Sequence, residues 1–381
     1  MTRNPEGVGG FVINRRHVLQ GGLFLGLLPS CSTVQAPRMI PVGQWQKLPT
    51  VPYPGKQDDI AFASPSRGWY GNGAGLLYRT QDGGDSWEEI CSKPGTFVRA
   101  LGFLDDHVGI MGNVGVGSFP NVIDRTPLYR TIDGGLTWTP VERIDGPIPD
   151  GICALDIVRF TGIDRGERLP AVLVHAAGRV GGPAHYLCSH DAGSTWQSQD
   201  LGSLTSAIFD VKFLGPRNGF LAGTSSPDLA KARGLILKTE DGGDTWREVF
   251  RSARPFETVW KLHFPSDGTG FGTVQSYDPD KAVSQRYIAK TTDAGDSWSE
   301  VPLVDDAGWR SFGIGFADDR LGWVGGNSGG LETRDGGSTW QRVEMGRAVN
   351  KIRFVEAPDR RLAYAIGSEV HRLELAEETG F

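Results

Sequence analysis

Short runs of alternating apolar residues, each closing on a phenylalanine, recur along this chain. They are Ile60-Ala-Phe62, Leu101-Gly-Phe103, Val158-Arg-Phe160, Val211-Lys-Phe213, Leu262-His-Phe264 and Ile314-Gly-Phe316. A period of two predicts strands that bury one set of side chains. A second strand follows several of them and opens on Gly and an aromatic residue: Gly68-Trp69-Tyr70-Gly71, Gly219-Phe220-Leu221-Ala222-Gly223 and Gly322-Trp323-Val324-Gly325. A third strand then leads into a turn, and a fourth opens on Trp. Each unit is therefore four antiparallel strands, and nothing after the first 31 residues reads as a long helix.

The turn between the third and fourth strands recurs six times. It reads Thr80-Gln-Asp82-Gly-Gly84-Asp-Ser86-Trp87, Thr131-Ile-Asp133-Gly-Gly135-Leu-Thr137-Trp138 and Ser189-His-Asp191-Ala-Gly193-Ser-Thr195-Trp196. The later copies are Thr239-Glu-Asp241-Gly-Gly243-Asp-Thr245-Trp246, Thr291-Thr-Asp293-Ala-Gly295-Asp-Ser297-Trp298 and Thr333-Arg-Asp335-Gly-Gly337-Ser-Thr339-Trp340. The aspartates are 51, 58, 50, 52 and 42 residues apart, a strand-rich period that marks propeller blades. The Asp carboxylate can accept N–H groups of its own turn, Gly supplies a positive φ, and the Trp brings apolar surface to the next strand. The turn resembles the Asp-box of several propeller families. Asp82, Asp133, Asp191, Asp241, Asp293 and Asp335 are thus read as structural carboxylates and not as catalytic ones.

A seventh unit lacks the box. Ile352-Arg-Phe354, Leu362-Ala-Tyr364-Ala-Ile366-Gly367 and Val370-His-Arg-Leu373 supply three strands, and Trp45-Gln-Lys-Leu48 matches the outer-strand pattern of Trp87-Glu-Glu-Ile90 and Trp246-Arg-Glu-Val249. The expected fold is all-β: a seven-bladed β-propeller whose last blade is completed by the N-terminal strand, leaving no frayed edge. Six blades is the alternative count. Gly, 54 of 381 residues, stands at about twice its usual share and suits a chain that turns so often.

The N-terminus changes the picture of where the chain works. Asn14-Arg15-Arg16-His17-Val18-Leu19-Gln20 resembles a twin-arginine export motif, and an apolar run to Leu28 follows, too short and Gly-rich for a stable span. Leu28-Pro29-Ser30-Cys31 resembles a lipoprotein processing site, with an ordinary cleaved signal peptide as the alternative. Residues 1–31 are read as a leader with lipidation at Cys31, 32–42 as a tether, 43–375 as one propeller and 376–381 as a tail. The expected location is periplasmic, anchored to a membrane. Loss of Arg3, Glu6, Arg15 and Arg16 with the leader moves the net charge from −6 to −8, which argues against nucleic-acid binding. Cys91, Cys153 and Cys188 are expected as free thiols, and neither a metal site nor a cofactor is indicated.

Propeller geometry puts the loops entering the inner strands on the same face as those joining second to third strands, opposite the boxes. The latter are longest at 114–125, 176–183, 225–232 and 276–284, and loops that vary on a rigid scaffold carry binding function. Around the expected channel mouth lie Arg99, Asp156, Trp260, Lys261, Trp309, Arg310, Asn350 and Lys351. Trp260 and Trp309 are the tryptophans that no strand pattern absorbs. As exposed aromatics beside basic residues they would suit a peptide, sugar or protein partner; packing between neighbouring blades is the alternative, and the commoner place for such a Trp.

The Gly-Trp-x-x-Gly strands, the Asp-Gly-Gly-x-Ser/Thr-Trp boxes and the seven units together resemble the photosystem II stability/assembly factor-like propellers. The likeness spans the whole propeller. It implies a non-enzymatic scaffold that binds a membrane-associated protein complex through a basic surface, where Arg99, Arg310 and Lys351 would lie; a monomer is expected. A glycoside hydrolase of the sialidase-like type is the alternative. The expected Arg-Ile-Pro segment is missing, however, and Phe97-Val98-Arg99-Ala100 lacks the Pro. Adjacent carboxylates such as Asp58-Asp59 are expected to face opposite ways along a strand. A redox-cofactor propeller is the remaining reading, without a Cys-x-x-Cys-His motif to support it.

Overall fold

A computed structural model describes residues 38–51, 53, 55–160, 163–164, 167–168, 172–358 and 360–377. The expected leader, with the twin-arginine segment and Cys31, lies outside the described residues, as does the end of the tail. The described strands form seven sheets of four or five strands, plus a two-stranded hairpin. The sheets are numbered here in chain order by their inner strands: Gln57–Phe62, Val98–Phe103, Ala154–Arg159, Ala207–Phe213, Glu257–His263, Ser311–Phe316 and Lys351–Glu356. Each inner strand packs against the inner strand of the next sheet, and that of the seventh against that of the first. In the seventh sheet the outermost strand is Met39–Lys47, antiparallel to Val370–Glu377. That strand begins four residues earlier than the expected propeller boundary.

The two sequence signals at the start of each unit are parts of one contact. The Phe closing an inner strand lies across the Gly opening the second strand. A Cβ on Gly68, Gly109, Gly219, Gly270 or Gly322 would sit 2.3–2.6 Å from the ring of Phe62, Phe103, Phe213, Phe264 or Phe316. The other side of the ring stacks on the second strand of the preceding sheet. Trp69 meets Phe103 at 3.6 Å and 5°, Phe271 meets Phe316 at 3.6 Å and 3°, and Phe220 meets Phe264 at 4.6 Å. Tyr364 of the seventh sheet stacks on Phe62 of the first at 4.2 Å. The hydrophobic core is accordingly a series of layers between neighbouring sheets, such as Trp69, Leu77, Leu101, Phe103 and Trp138 between the first two.

In the third sheet a histidine takes the aromatic place. His175 stacks on Phe213 at 3.5 Å and 6°, and its Nδ1 is 2.7 Å from the Tyr186 hydroxyl. Burial pushes its pKa down to about 3 against the usual 6.5, with Asp156 opposing the shift. The unfolded chain therefore binds this proton first. The stability it carries is complete above pH 6.5 and is lost as pH falls toward about 3. Urea unfolding free energies should decline below about pH 6.5, and His175→Phe should flatten part of that decline. An unchanged slope in the variant would contradict this assignment.

The boxes are built alike, and the residue two before the Asp is their hub. Gly84 N–H donates to Thr80 Oγ1 at 2.8 Å, Thr80 Oγ1 donates to Asp82 Oδ1 at 2.7 Å, and Ser86 N–H donates to the same oxygen at 2.9 Å. Equivalent bonds recur at Asp133, Asp191, Asp241, Asp293 and Asp335. Hydrogen bonds from the Ser86 side chain, from Thr80 and from Ser86 N–H hold the Asp82 carboxyl down to about 2. Five boxes also close with Trp Nε1 donating to the carbonyl of the Gly two residues after the Asp, as Trp138 does to Gly135 at 3.0 Å. The turn pattern alone does not reveal the role of this Thr or Ser. The third sheet carries a fifth strand beyond the expected four, where Arg143–Asp145 runs parallel to Thr195–Asp200.

Candidate functional site

Five inner strands carry a β-bulge at their start. The register slips between Gln57 and Asp59, Val98 and Ala100, Ile208 and Asp210, Val259 and Leu262, and Ser311 and Ile314. The extra residues include Asp58, Arg99, Phe209, Trp260 and Phe312. A bulge re-aims side chains that strict alternation would place elsewhere. Here Phe209 stacks on Trp260 at 4.6 Å, and Phe312 packs against the same pair. Arg99 lies 5.4 Å from the Trp260 ring and ion-pairs with Asp58, and Lys56 Nζ lies 5.3 Å from the Phe312 ring. An aromatic arc and a charged arc thus meet at the entrance between the inner strands.

Deeper in, carboxylates tie neighbouring sheets together. Asp59 Oδ2 accepts Leu101 N–H of the second sheet at 2.8 Å and ion-pairs with Lys351 and Arg353 of the seventh. Asp210 accepts Leu262 N–H at 2.9 Å and Lys261 Nζ at 3.2 Å. Asp156 accepts Phe213 N–H at 2.7 Å and Lys212 Nζ at 2.8 Å. Burial opposes ionisation of Asp59, but Lys351, Arg353 and the Leu101 N–H outweigh it and hold its carboxyl below the usual range. Burial pulls Lys351 down to about 7 despite Asp59. The expectation that Asp58 and Asp59 point opposite ways fails, because the bulge at Asp58 lets both reach the second sheet.

The structure divides the eight candidates of the expected mouth. Arg99 and Trp260 are together at the entrance. Asp156, Lys261 and Lys351 sit below it in ion pairs, and Asn350 Nδ2 donates to the Asp58 carbonyl at 2.6 Å. One candidate takes the packed alternative and one expectation needs correction. Trp309 is not an exposed aromatic: it is 1% exposed, packs with Phe271, Ile314 and Phe316 between the fifth and sixth sheets, and donates to Ser311 Oγ at 3.0 Å. Trp260 is 8% exposed and Arg99 and Lys351 are 3% and 4%, so neither cation contributes to an open basic surface. Arg310 is exposed, 4.9 Å from the Tyr277 ring.

What is exposed at this end is the loop wall. The connections at 114–127, 179–184, 225–233 and 277–284 are long, whereas those at 73–75, 327–328 and 367–369 are tight turns. The long loops support one another: Ser118 Oγ donates to the Val180 carbonyl at 3.0 Å, and Arg179 Nη1 to the Val116 carbonyl at 2.5 Å. Phe119, Ile123 and Leu229 on these loops, with Ile148 and Leu204 on loops entering inner strands, are exposed apolar residues. Their exposures run from 38% to 77%, and Ile40, Val42, Val51, Ile132 and Leu136 are exposed elsewhere.

No protein-family model matches the chain. It is 27% identical over 280 residues to the photosystem II assembly lipoprotein Ycf48 of Synechococcus sp. (strain CC9902), covering 63% of this chain and 76% of that protein. A solved structure of YCF48 bound to D1 peptide superposes with a TM-score of 0.60 at 18% identity, covering 88% of this chain and 96% of that one. A GH74 xyloglucanase from Xanthomonas campestris superposes at 0.54 and 13% identity, over 81% of this chain and 51% of its own, a likeness of fold alone. The box geometry, the layered Phe contacts and the match to the assembly lipoprotein converge: the chain is similar in sequence and in fold to the photosystem II assembly factor propellers.

Proposed function

We propose that the protein is an exported, non-enzymatic propeller that binds a protein partner and helps to assemble or stabilise a membrane complex. The relatives' names carry this for photosystem II and, in one structure, for D1 peptide. The observation that carries it for this chain is the loop wall, with apolar side chains from three consecutive sheets exposed beside the entrance. The non-enzymatic reading is supported by Asp58, Asp59, Asp156 and Asp210, each of which is ion-paired and so unavailable as a free acid or base. Seven sheets in a closed ring is part of the same reading. The contact of the first inner strand with the seventh supports it, as does the outermost place of the N-terminal strand. So are a leader over residues 1–31, a tether, lipidation at Cys31 and a periplasmic, membrane-anchored monomer.

The test is crosslinked co-purification of the tagged, natively exported protein from its own membranes. The expected result is a defined membrane-protein partner. Its capture should fall at least about tenfold in an Ile123→Asp, Leu229→Asp double variant, because apolar anchors dominate such interfaces. Both positions are exposed, so folding is spared. Arg310→Glu tests the basic contribution; Arg99 and Lys351 are unsuitable because their loss strands buried carboxylates. Equal capture by wild type and the double variant would contradict the assignment of this face.

A further inference from the structure

We propose that the cavity between the inner strands holds a small inorganic oxyanion of the sulfate or phosphate class, bound by Lys212, Lys261, Lys351 and Arg353. The proposal is independent of the partner-binding reading. These four cations come from three sheets and line one partly open cavity of about 190 Å³. At roughly 30 Å³ per water molecule, that space takes a tetrahedral oxyanion together with a few waters.

The charge inventory is what calls for an anion. Lys56, Arg99, Lys212, Lys261, Lys351 and Arg353 face inward, against the carboxylates of Asp58, Asp59, Asp156 and Asp210. Among the described residues six cations meet four carboxylates, an excess of two positive charges; Lys56, Lys212 and Arg353 are partly solvated, but Arg99, Lys261 and Lys351 are nearly fully buried, where an unpaired charge is costly. Asp59 is shared by Lys351 and Arg353. Lys351, 4% exposed, finds no acceptor among the described residues beyond that carboxylate for its remaining ammonium protons. His263 also lines the cavity, but its Nδ1 accepts Phe316 N–H at 3.2 Å and burial pushes its pKa down to about 3, so it adds no charge.

Deprotonation is the competing way to relieve the excess. Lys351 faces Asp59 from the first sheet, Asp210 and Lys212 from the fourth, Lys261 and His263 from the fifth and Arg353 on its own strand. With its pKa pulled down to about 7, it is charged and available to an anion below that value and neutral above it. An anion that binds the charged form is therefore held more weakly as pH rises.

The experiment titrates sodium sulfate into the full-length exported protein at constant ionic strength, following heat and thermal stabilisation. Sulfate stays a dianion across the range used. The expected result is saturable binding at about pH 6, weaker by roughly tenfold at about pH 8.5. Lys351→Met should abolish it. Lys212→Met, at a half-buried position that tolerates change, should weaken it and keeps the test informative where the first variant does not fold. A crystal soaked in sodium selenate should show its anomalous selenium peak among these four side chains. No saturable response, a response unchanged in Lys212→Met, or selenium only at the outer surface would overturn the proposal. Equal stabilisation by chloride would overturn the oxyanion assignment.

Discussion

Asp59→Asn should cost about 3–5 kcal/mol of folding free energy, the loss typical of removing one partner from a buried ion pair. Asp59 is fully buried, and its carboxylate serves Lys351, Arg353 and the Leu101 N–H at once. The asparagine keeps the size and part of the hydrogen bonding but strands two cations between the first and seventh sheets. Because the contact joins residues near the two ends of the chain, the loss falls where the ring would close. Chemical denaturation of the variant beside wild type measures it. A loss under about 1 kcal/mol, the size of an exposed pair, would mean that solvent screens the site and that the inner cavity is not the low-dielectric space described above.

Trp69→Ala should be comparably damaging, at about 3–5 kcal/mol, the range for truncating a large buried aromatic residue. Trp69 has no exposed surface, stacks on Phe103 at 3.6 Å and donates its Nε1 proton to the Gly134 carbonyl at 2.9 Å. One side chain thus joins the second strand of the first sheet to both the inner strand and the box of the second. Trp69→Phe should recover much of the stacking but not the hydrogen bond, and so should fall between wild type and Ala in the same denaturation series. If Phe were as damaging as Ala, the bond to the box would outweigh the ring contact, and the layered-Phe account of the core would be wrong.

How much of this was legible in the sequence follows the range of the interactions. The boxes close within a few residues of each Asp, so their pattern is written locally. The Phe and Gly signals were read as two features. Their shared cause needs the hairpin folded back, with Gly68 against Phe62 and Phe103 against Trp69. The loop wall was visible as loop length. The charged interior was not legible, because its partners are far apart in the chain: 41 residues for Arg99 and Asp58, and 294 for Arg353 and Asp59. The bulges compounded this, since one extra residue turns Asp58 and Arg99 out of strict alternation. For Trp309 the mouth and the packed position stayed open, because nothing local separates a mouth residue from one packed between sheets. The parallel strand Arg143–Asp145 has no hairpin and no apolar alternation to betray it.

The claim that the loop wall is the working face is tested most directly by position-specific photocrosslinking in native membranes. A photoreactive residue is placed at Ile123, 77% exposed on the wall, or at Leu136, 50% exposed in a box turn at the opposite end. The account predicts a discrete crosslinked membrane-protein partner from position 123 and none from position 136. A partner captured from 136 and not from 123 would contradict it and move the binding surface to the box face.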